Sequence, residues 1–210
     1  VYLDSYSQSL SSGAQRYPEA QEDLIRVVEE GVFIVTYVGH GGEIGWASER
    51  VLELSDINNF SNINKLPLFI TATCEFTRYD DPSRVSAGEL LLLNPNGGAM
   101  GLFSTSRTVS ESSTYSLVDA LYNYLPDQDL DLTLGEVLRH AKNDPTSGSN
   151  IVKRKFSFFG DPNIKLSFPK FNFTPSFRSN ETVITLSIAW TKSDDATVKI
   201  LSLPIGTTFL

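Results

Sequence analysis

The sequence contains very few of the residues that build disulfides and metal sites. Its 210 residues include one cysteine, Cys74, and two histidines, His40 and His140. A single cysteine excludes an intramolecular disulfide, and the histidines lack the partners and spacing of a structural zinc site. We therefore expect no metal, and a fold that its hydrophobic core holds together.

Positive charge and long apolar runs are also scarce. The formal net charge is -8, which argues against nucleic acid as a partner, because such a surface needs clustered Lys and Arg. No apolar run approaches the roughly 20 residues that a membrane-spanning helix requires. The chain begins without Met and shows no signal peptide, so we expect a fragment of a longer protein.

Strand and helix patterns alternate over residues 1–168. Runs of β-branched and aromatic residues predict buried strands at 32–38, 66–74 and 97–106. Apolar residues at helical spacing predict helices at 18–30, 86–94, 113–125 and 133–144, with a short helix or loop in 51–64. A last strand is expected in 156–168, after the turn at Gly160-Asp161-Pro162. The alternation predicts an α/β fold, a mostly parallel sheet with helices on both faces.

The composition changes near Pro169. The stretches "ETVITLSIAWT" and "ATVKILSLPIGTTFL" beyond it show β-branched runs and no helical period. We therefore predict two parts, an α/β domain over 1–168 and a partial all-β segment over 169–210, for which an immunoglobulin-like form is one interpretation.

Two reactive side chains follow neighbouring predicted strands. Gly39-His40-Gly41-Gly42 ends the first strand, and Cys74 ends the next one, 34 residues after His40. Ligand chemistry gathers at the carboxyl ends of parallel strands, and a histidine can activate a thiol as a nucleophile. The alternative is a buried structural cysteine and an ordinary glycine-rich loop.

Four blocks of the sequence resemble a known family. The His-Gly and Cys pattern is similar to that of the caspase-like cysteine peptidases, and within that clan to the gingipain family, most of all its PorU-type members. The blocks are "YVGHGGEIGWASERVL", "LPLFITATCEFTRYDDP", "SAGELLLLNPNGGAMGLFSTSR" and "FFGDPNIKLSFP". The likeness covers roughly residues 1–169, and it implies that the first strands of the caspase-like domain precede Val1.

The resemblance implies a particular activity and setting. PorU-type members are cysteine endopeptidases, or sortases, of the type IX secretion system of Bacteroidetes. They remove the C-terminal signal domain from secreted cargo proteins and transfer the new carboxyl end to an anionic lipopolysaccharide. They act at the cell surface on the outer membrane, with a PorV-like β-barrel as partner. The alternative is an inactive, peptidase-like module that only docks cargo or partner proteins.

The resemblance also assigns roles to single residues. His40 matches the catalytic histidine and Cys74 the nucleophile, while Gly41 and Cys74 would supply oxyanion N–H groups. The strand at 101–107 matches a position that lines the substrate cleft in this family. The expected substrate contacts are therefore Ser104, Thr105, Ser106 and Arg107.

Several further residues have two interpretations. Glu43 and Trp46 follow the histidine loop and either shape the cleft or, for Trp46, anchor the packing. Glu75, a further candidate for the substrate cleft, either orients His40 or an incoming amine, or is a solvated carboxylate or a partner of Arg78. Arg107 either receives an anion or forms a surface ion pair.

The pair Asp80-Asp81 before Pro82 predicts a turn, with calcium binding as the less favoured interpretation. No cofactor is expected otherwise. An unrelated α/β hydrolase or phosphate binder is a remote alternative, because the Gly-x-Ser-x-Gly and Gly-Lys-Thr motifs are absent.

Overall fold

The computed structural model describes residues 3–11, 14–125, 130–167, 171–173, 183–190 and 200–204. Two compact units divide the chain, Val1–Leu166 and Ser167–Leu210. Each unit is described by itself.

The first unit alternates strands and helices along most of its length. A 3-10 turn (Leu3–Ser5) precedes β1 (Ser9–Ser11) and β2 (Ala14–Arg16), which pair antiparallel. The chain continues through α1 (Pro18–Glu30), β3 (Ile34–Val38), β4 (Gly41–Gly42), β5 (Gly45–Trp46), β6 (Leu52–Glu53), α2 (Leu54–Asn59) and β7 (Leu68–Ala72). It ends with α3 (Ala87–Leu93), β8 (Gly101–Thr105), α4 (Glu111–Tyr124), α5 (Leu134–Asn143), α6 (Asn150–Lys155) and β9 (Phe156–Gly160).

Four of these strands form the main sheet. Their order is β3-β7-β8-β9, with β3, β7 and β8 parallel and β9 antiparallel to β8. The register places Val38 opposite Ala72 and Thr71 opposite Ser104. The predicted α/β architecture with a mostly parallel sheet is thereby confirmed.

Helices cover both faces of the main sheet. All residues of β7 and β8 are buried, as the continuous apolar runs predict for central strands. Phe69 and Leu102 belong to one core cluster with Val28 of α1 and Leu91 of α3. Successive side chains of a strand point to opposite faces, and α4, which packs against β7 and β3, covers the other one.

The short strands and the last helix of the first unit differ from the sequence-based expectation. The final strand, β9, ends at Gly160 and does not follow it as predicted, because Gly160 adopts a left-handed φ of 134° there. The helix α6 was not predicted, since its six residues are too few to show a helical period. The segment 51–64 contains both the strand β6 and the helix α2.

The second unit contains β10 (Phe171–Phe173), β11 (Val183–Trp190) and β12 (Ile200–Pro204). These strands form an antiparallel sheet in the order β10-β11-β12. The described residues agree with an all-β segment, and its immunoglobulin-like form stays a prediction. Across the described part of the chain, no helix combines the length and apolar character needed to cross a membrane.

Candidate active site

His40 and Cys74 lie at the same edge of the main sheet. Each follows the last residue of its strand by two positions, and those last residues, Val38 and Ala72, are register partners in adjacent parallel strands. The Gly39 N–H donates to the Ala72 carbonyl at 3.3 Å, which extends the pairing one residue further. The candidate nucleophile and the candidate acid and base therefore follow neighbouring strands at one edge of the sheet.

The backbone at His40 is held by two hydrogen bonds while its side chain is exposed. The carbonyl oxygen accepts from the Tyr37 hydroxyl at 2.6 Å and from the Ala47 N–H at 2.8 Å. The following residues form a small antiparallel sheet in the order β4-β5-β6, in which Gly41 pairs with Trp46. We call residues 40–47 the histidine hairpin. The sequence showed its glycines but not these strands, because strands of two residues have no detectable period.

Trp46 anchors the histidine hairpin in the core. It is 2% exposed, stacks on Tyr37 with ring centroids 4.5 Å apart, and donates its indole N–H to Thr71 Oγ1 at 3.0 Å. Burial raises the pKa of Tyr37 to about 12, and the Glu49 carboxylate adds to this effect. Trp46 therefore has the packing role that one interpretation gave it, and it also borders a cavity beside His40.

Gly41 approaches Thr73, the residue before Cys74, more closely than any residue with a side chain could. A Cβ at this position would lie 2.6 Å from Thr73 Oγ1 and 2.8 Å from the Gly45 carbonyl oxygen. Thr73 is buried, and its hydroxyl has no hydrogen-bond partner. The histidine hairpin thus packs directly on the residue before the thiol.

Cys74 is half-buried in the turn that follows β7. Its thiol lies 3.7 Å from the Val109 carbonyl oxygen, to which it donates. Within the described residues its backbone N–H donates no hydrogen bond, which leaves this group available to an oxyanion. Glu75 has a left-handed φ of 54°, and its N–H points to the Arg107 carbonyl at 3.5 Å.

The predicted cleft residues of β8 divide into two groups. Ser104 and Thr105 are fully buried, which contradicts a role as substrate contacts. Ser104 Oγ accepts from Thr77 Oγ1 at 2.8 Å, and the Thr105 hydroxyl donates to the Thr73 carbonyl, so both support the Cys74 turn from beneath. A strand that is buried on both faces cannot expose its side chains to a cleft.

Ser106 and Arg107 follow β8 and reach the surface. The Ser106 N–H donates to the Lys155 carbonyl at 3.1 Å. Arg107 is exposed and forms an ion pair with Asp80, with Nη2 2.5 Å from Oδ2, as one interpretation of the sequence expected. The Arg107 guanidinium, as its hydrogen-bond donor, holds the pKa of Asp80 below its ordinary value.

The carboxylates near the site are engaged by protein groups. Glu43 and Glu75 both lie within ion-pair distance of Arg78, at 2.9 and 3.8 Å. Asp81 accepts from the Ser83 N–H at 2.9 Å, which is the expected turn. Among the described residues no three His, Cys, Asp or Glu side chains group as a metal site would need.

A cavity of about 450 Å³ opens beside His40, and the sequence did not reveal it. Its walls come from residues between His40 and Glu53, including the exposed Ile44 and the ion pair of Arg50 with Glu53 at 3.0 Å. Cys74 is not among its walls. The cavity therefore lies on the histidine side of the candidate pair.

The sequence model described as peptidase family C25 matches residues 1–167. This chain belongs to peptidase family C25. The resemblance to the gingipain family is thereby confirmed at the level of the family, whereas the PorU-type assignment stays a prediction. None of the curated proteins compared matches the chain significantly.

Solved structures share the fold of this C25 chain. The crystal structure of the Arg-specific cysteine proteinase gingipain R (RgpB) has 16% identity and a TM-score of 0.61, over 86% of this chain and 49% of that one. The complex of Porphyromonas gingivalis RgpB pro- and mature domains has 15% identity and a TM-score of 0.62, over 86% and 50%. A third structure, described only as a protease, has 18% identity and a TM-score of 0.58, over 80% and 45%. The chain thus spans about half the length of these relatives.

Proposed function

We propose that this chain is the later part of the catalytic domain of a cysteine peptidase, with Cys74 as nucleophile and His40 as general acid and base. The observation that carries the proposal is the placement of both residues two positions beyond register partners in adjacent parallel strands. Membership of peptidase family C25 supports it.

The proposed reaction has two stages, acylation of Cys74 and its deacylation. His40 accepts the thiol proton, and the Cys74 sulfur attacks the peptide carbonyl, forming a C–S bond and an oxyanion. The N–H groups of Gly41 and Cys74 would stabilise that oxyanion. His40 then gives the proton to the leaving nitrogen as the C–N bond breaks, which leaves a thioester. Water or an amine then attacks the thioester carbon and gives its proton to His40, forming a C–O or C–N bond. The C–S bond breaks, the product leaves as a carboxylic acid or an amide, and His40 returns the proton to the Cys74 sulfur.

The cavity on the histidine side supports a role for amines in this scheme. The group that donates a proton to the leaving nitrogen must lie beside it, so the leaving and entering amines approach from the side of His40. The cavity of about 450 Å³ opens on that side. An acceptor amine would enter through this space before it reaches the thioester at Cys74.

The finer proposal concerns the substrate. The sequence blocks around His40, Cys74 and Arg107 resemble PorU-type sortases, so we propose cargo proteins with a C-terminal signal domain as substrates. An anionic lipopolysaccharide would be the acceptor, a PorV-like outer-membrane β-barrel the partner, and the cell surface the location.

Thiol reactivity tests the catalytic pair. The rate of iodoacetamide alkylation at Cys74 would be followed by peptide mass spectrometry from about pH 5 to 9 in the full-length protein, because an ordinary thiol has a pKa near 8.5. We expect fast alkylation well below pH 8, and a slower or shifted profile in His40→Ala. A pH profile typical of an ordinary thiol, and unchanged by His40→Ala, would contradict the peptidase proposal and favour the inactive docking module.

A second experiment tests the finer proposal. The full-length protein would be incubated with a cargo protein that ends in its signal domain, with and without a soluble primary amine. We expect a new carboxyl end that carries the amine, identified by mass, and none with Cys74→Ala. Cleavage that yields only the free carboxylate at every amine concentration would reject the transferase and retain the peptidase.

The docking module is the second candidate, and one observation favours it. The Cys74 thiol donates to the Val109 carbonyl in this structure, so its proton is directed toward the backbone at Val109 and not toward His40. A thiol held in this way permanently would be unreactive. The alkylation profile distinguishes the two candidates.

A further inference from the structure

Glu43 connects the histidine hairpin to the segment that carries Cys74. It lies within the turn between β4 and β5, three residues after His40. Its Oε1 accepts from Arg78 Nη1 at 2.9 Å, and Arg78 lies four residues after Cys74. A single hydrogen-bonded ion pair therefore spans the two segments that hold the candidate pair.

A second arginine and a backbone bond strengthen this connection. Arg84 Nε lies 3.2 Å from Glu43 Oε2, without the alignment of a hydrogen bond, so the two groups interact as charges. The Glu43 carbonyl accepts the N–H of Ala87 at 2.7 Å. Ala87 is the first residue of α3, and the first N–H groups of a helix have no acceptor within the helix.

The burial of Glu43 distinguishes this ion pair from those on the surface. The side chain of Glu43 is 11% exposed, against 38% for Arg78 and 55% for Arg84. A carboxylate that is shielded from water needs its charged partners to offset the cost of desolvation. An exposed ion pair, by contrast, contributes little to the stability of the fold. Arg26 and Glu30 on α1, 54% and 64% exposed, are an example of the latter.

We propose that Glu43 is a positioning residue that holds the histidine hairpin against the Cys74 segment through Arg78. The proposal rests on the proposed function, because His40 and Cys74 must be aligned for proton transfer to matter. The partners that the structure gives Glu43 are Arg78, Arg84 and the Ala87 N–H, so its effect on His40 would be indirect. Glu43 acts through the histidine hairpin, in which the Ala47 N–H donates a hydrogen bond to the His40 carbonyl.

Two readouts test this role in the full-length protein carrying Glu43→Gln. The first is hydrogen–deuterium exchange of the Ala47 and Ala87 amides, which does not depend on chemistry at Cys74. The second is the pH profile of Cys74 alkylation, measured with and without His40→Ala. Glu30→Gln is the matched control, since it makes the same chemical change in an exposed ion pair.

We expect both amides to exchange at least about tenfold faster in Glu43→Gln. A hydrogen bond to a charged group shifts the equilibrium between the closed and the locally opened protein by more than about tenfold, and exchange follows that equilibrium. The His40-dependent part of the alkylation rate should fall by up to about a hundredfold, as small misplacements of reacting groups can cause. Glu43→Asp, which keeps the charge on a shorter stem, should recover part of both effects. Glu30→Gln should change neither.

Unchanged exchange in Glu43→Gln would overturn the inference, whatever the fate of the proposed function. Faster exchange with an unaltered coupling of His40 to Cys74 would overturn the positioning role. If His40→Ala has no effect in the parent protein, the proposed function fails, and the exchange data alone support or reject the connection. Should Glu43→Gln not fold, Arg78→Gln tests the same ion pair from its more exposed side.

Discussion

The space around a residue at this site limits which residue types fit there, in addition to the chemistry that the site needs. Gly41 packs on Thr73, and Gly42 next to it faces open space, with no atom within 4 Å of a built Cβ. Two neighbouring glycines of one loop therefore have different reasons to be glycine. The difference offers a matched pair of substitutions.

Gly41→Ala is expected to displace the histidine hairpin. The added methyl would meet the Gly45 carbonyl at 2.8 Å, and backbone cannot move aside as a side chain can. We expect a loss of about 1–3 kcal/mol in the free energy of unfolding and a larger loss of His40-dependent alkylation. Urea denaturation and the alkylation profile are the measurements. Gly42→Ala, made in parallel, should leave both almost unchanged, and equal losses in the two variants would contradict the packing argument.

The pH dependence of Tyr37 is a second prediction for a single residue. Burial raises its pKa to about 12 from 10.0, so the folded state resists ionisation of this phenol. The resulting stability is present below pH 10.0 and is lost as the pH rises through about 12. Spectrophotometric titration of tyrosinate should show a late-ionising phenol that is missing in Tyr37→Phe. Identical late phases in the two proteins would assign that phenol elsewhere.

Among the elements, the small sheet β4-β5-β6 has the largest influence on the site. Its residues border the cavity beside His40, and one of them, the buried Trp46, also packs against Tyr37, Phe69 and Phe76. One aromatic side chain thus joins the hairpin to β3, β7 and the Cys74 turn. The position of His40 depends on this packing.

Trp46→Phe is expected to remove the indole hydrogen bond to the buried Thr71 hydroxyl. Leaving that hydroxyl without its donor should cost about 1–3 kcal/mol of unfolding free energy in urea. Thr71→Val removes the other partner, and the double variant should lose less than the sum of the two single losses. Strict additivity would show that the bond contributes nothing to stability.

Over the whole first unit, carboxylates form many of the polar connections. Hydrogen bonds from Tyr6 and Arg107 lower the pKa values of Asp23 and Asp80, respectively. Hydrogen bonds from groups close in sequence lower the pKa values of three further carboxylates. The donors are the Ser83 side chain for Asp81, the Thr133 backbone for Glu136 and the Thr146 side chain for Asp144. All five carboxylates are more acidic in the folded protein than in an unfolded chain.

This pattern predicts loss of stability in acid. A folded pKa below the unfolded value contributes stability that is present above the unfolded pKa and is lost as the pH falls through the folded one. The unfolded values are 4.5 for Glu136 and 3.8 for the aspartates, so the urea midpoint should decline below about pH 4.5. Glu136→Gln and Asp144→Asn should flatten that decline. A midpoint that is constant down to pH 3 would reject the explanation.

Much of the fold and the central pair of the site could be predicted from the chain. The runs at 32–38 and 66–74 are mostly apolar and β-branched, which is a local property, and they became β3 and β7. Only β7 is buried throughout as predicted, because β3 lies at the edge of the sheet and buries just Val35. Parallel strands place their carboxyl ends at one edge, so the positions of His40 and Cys74 followed from chain order. Secondary structure follows from local sequence pattern, whereas the juxtaposition follows from the rule that successive parallel strands are usually neighbours in the sheet.

The remaining features depend on contacts between distant segments. Glu43 and Arg78 are 35 residues apart in sequence, and no local pattern marks them as partners. The burial of Ser104 and Thr105 follows from the central position of β8, between β7 and β9, since a neighbour on each side and helices on both faces leave no exposed surface. Composition and periodicity thus determined the α/β class and the edge where the reactive residues meet. Packing across the chain decided which polar side chains remain exposed there, because burial is a property of the assembled layers and not of any one segment.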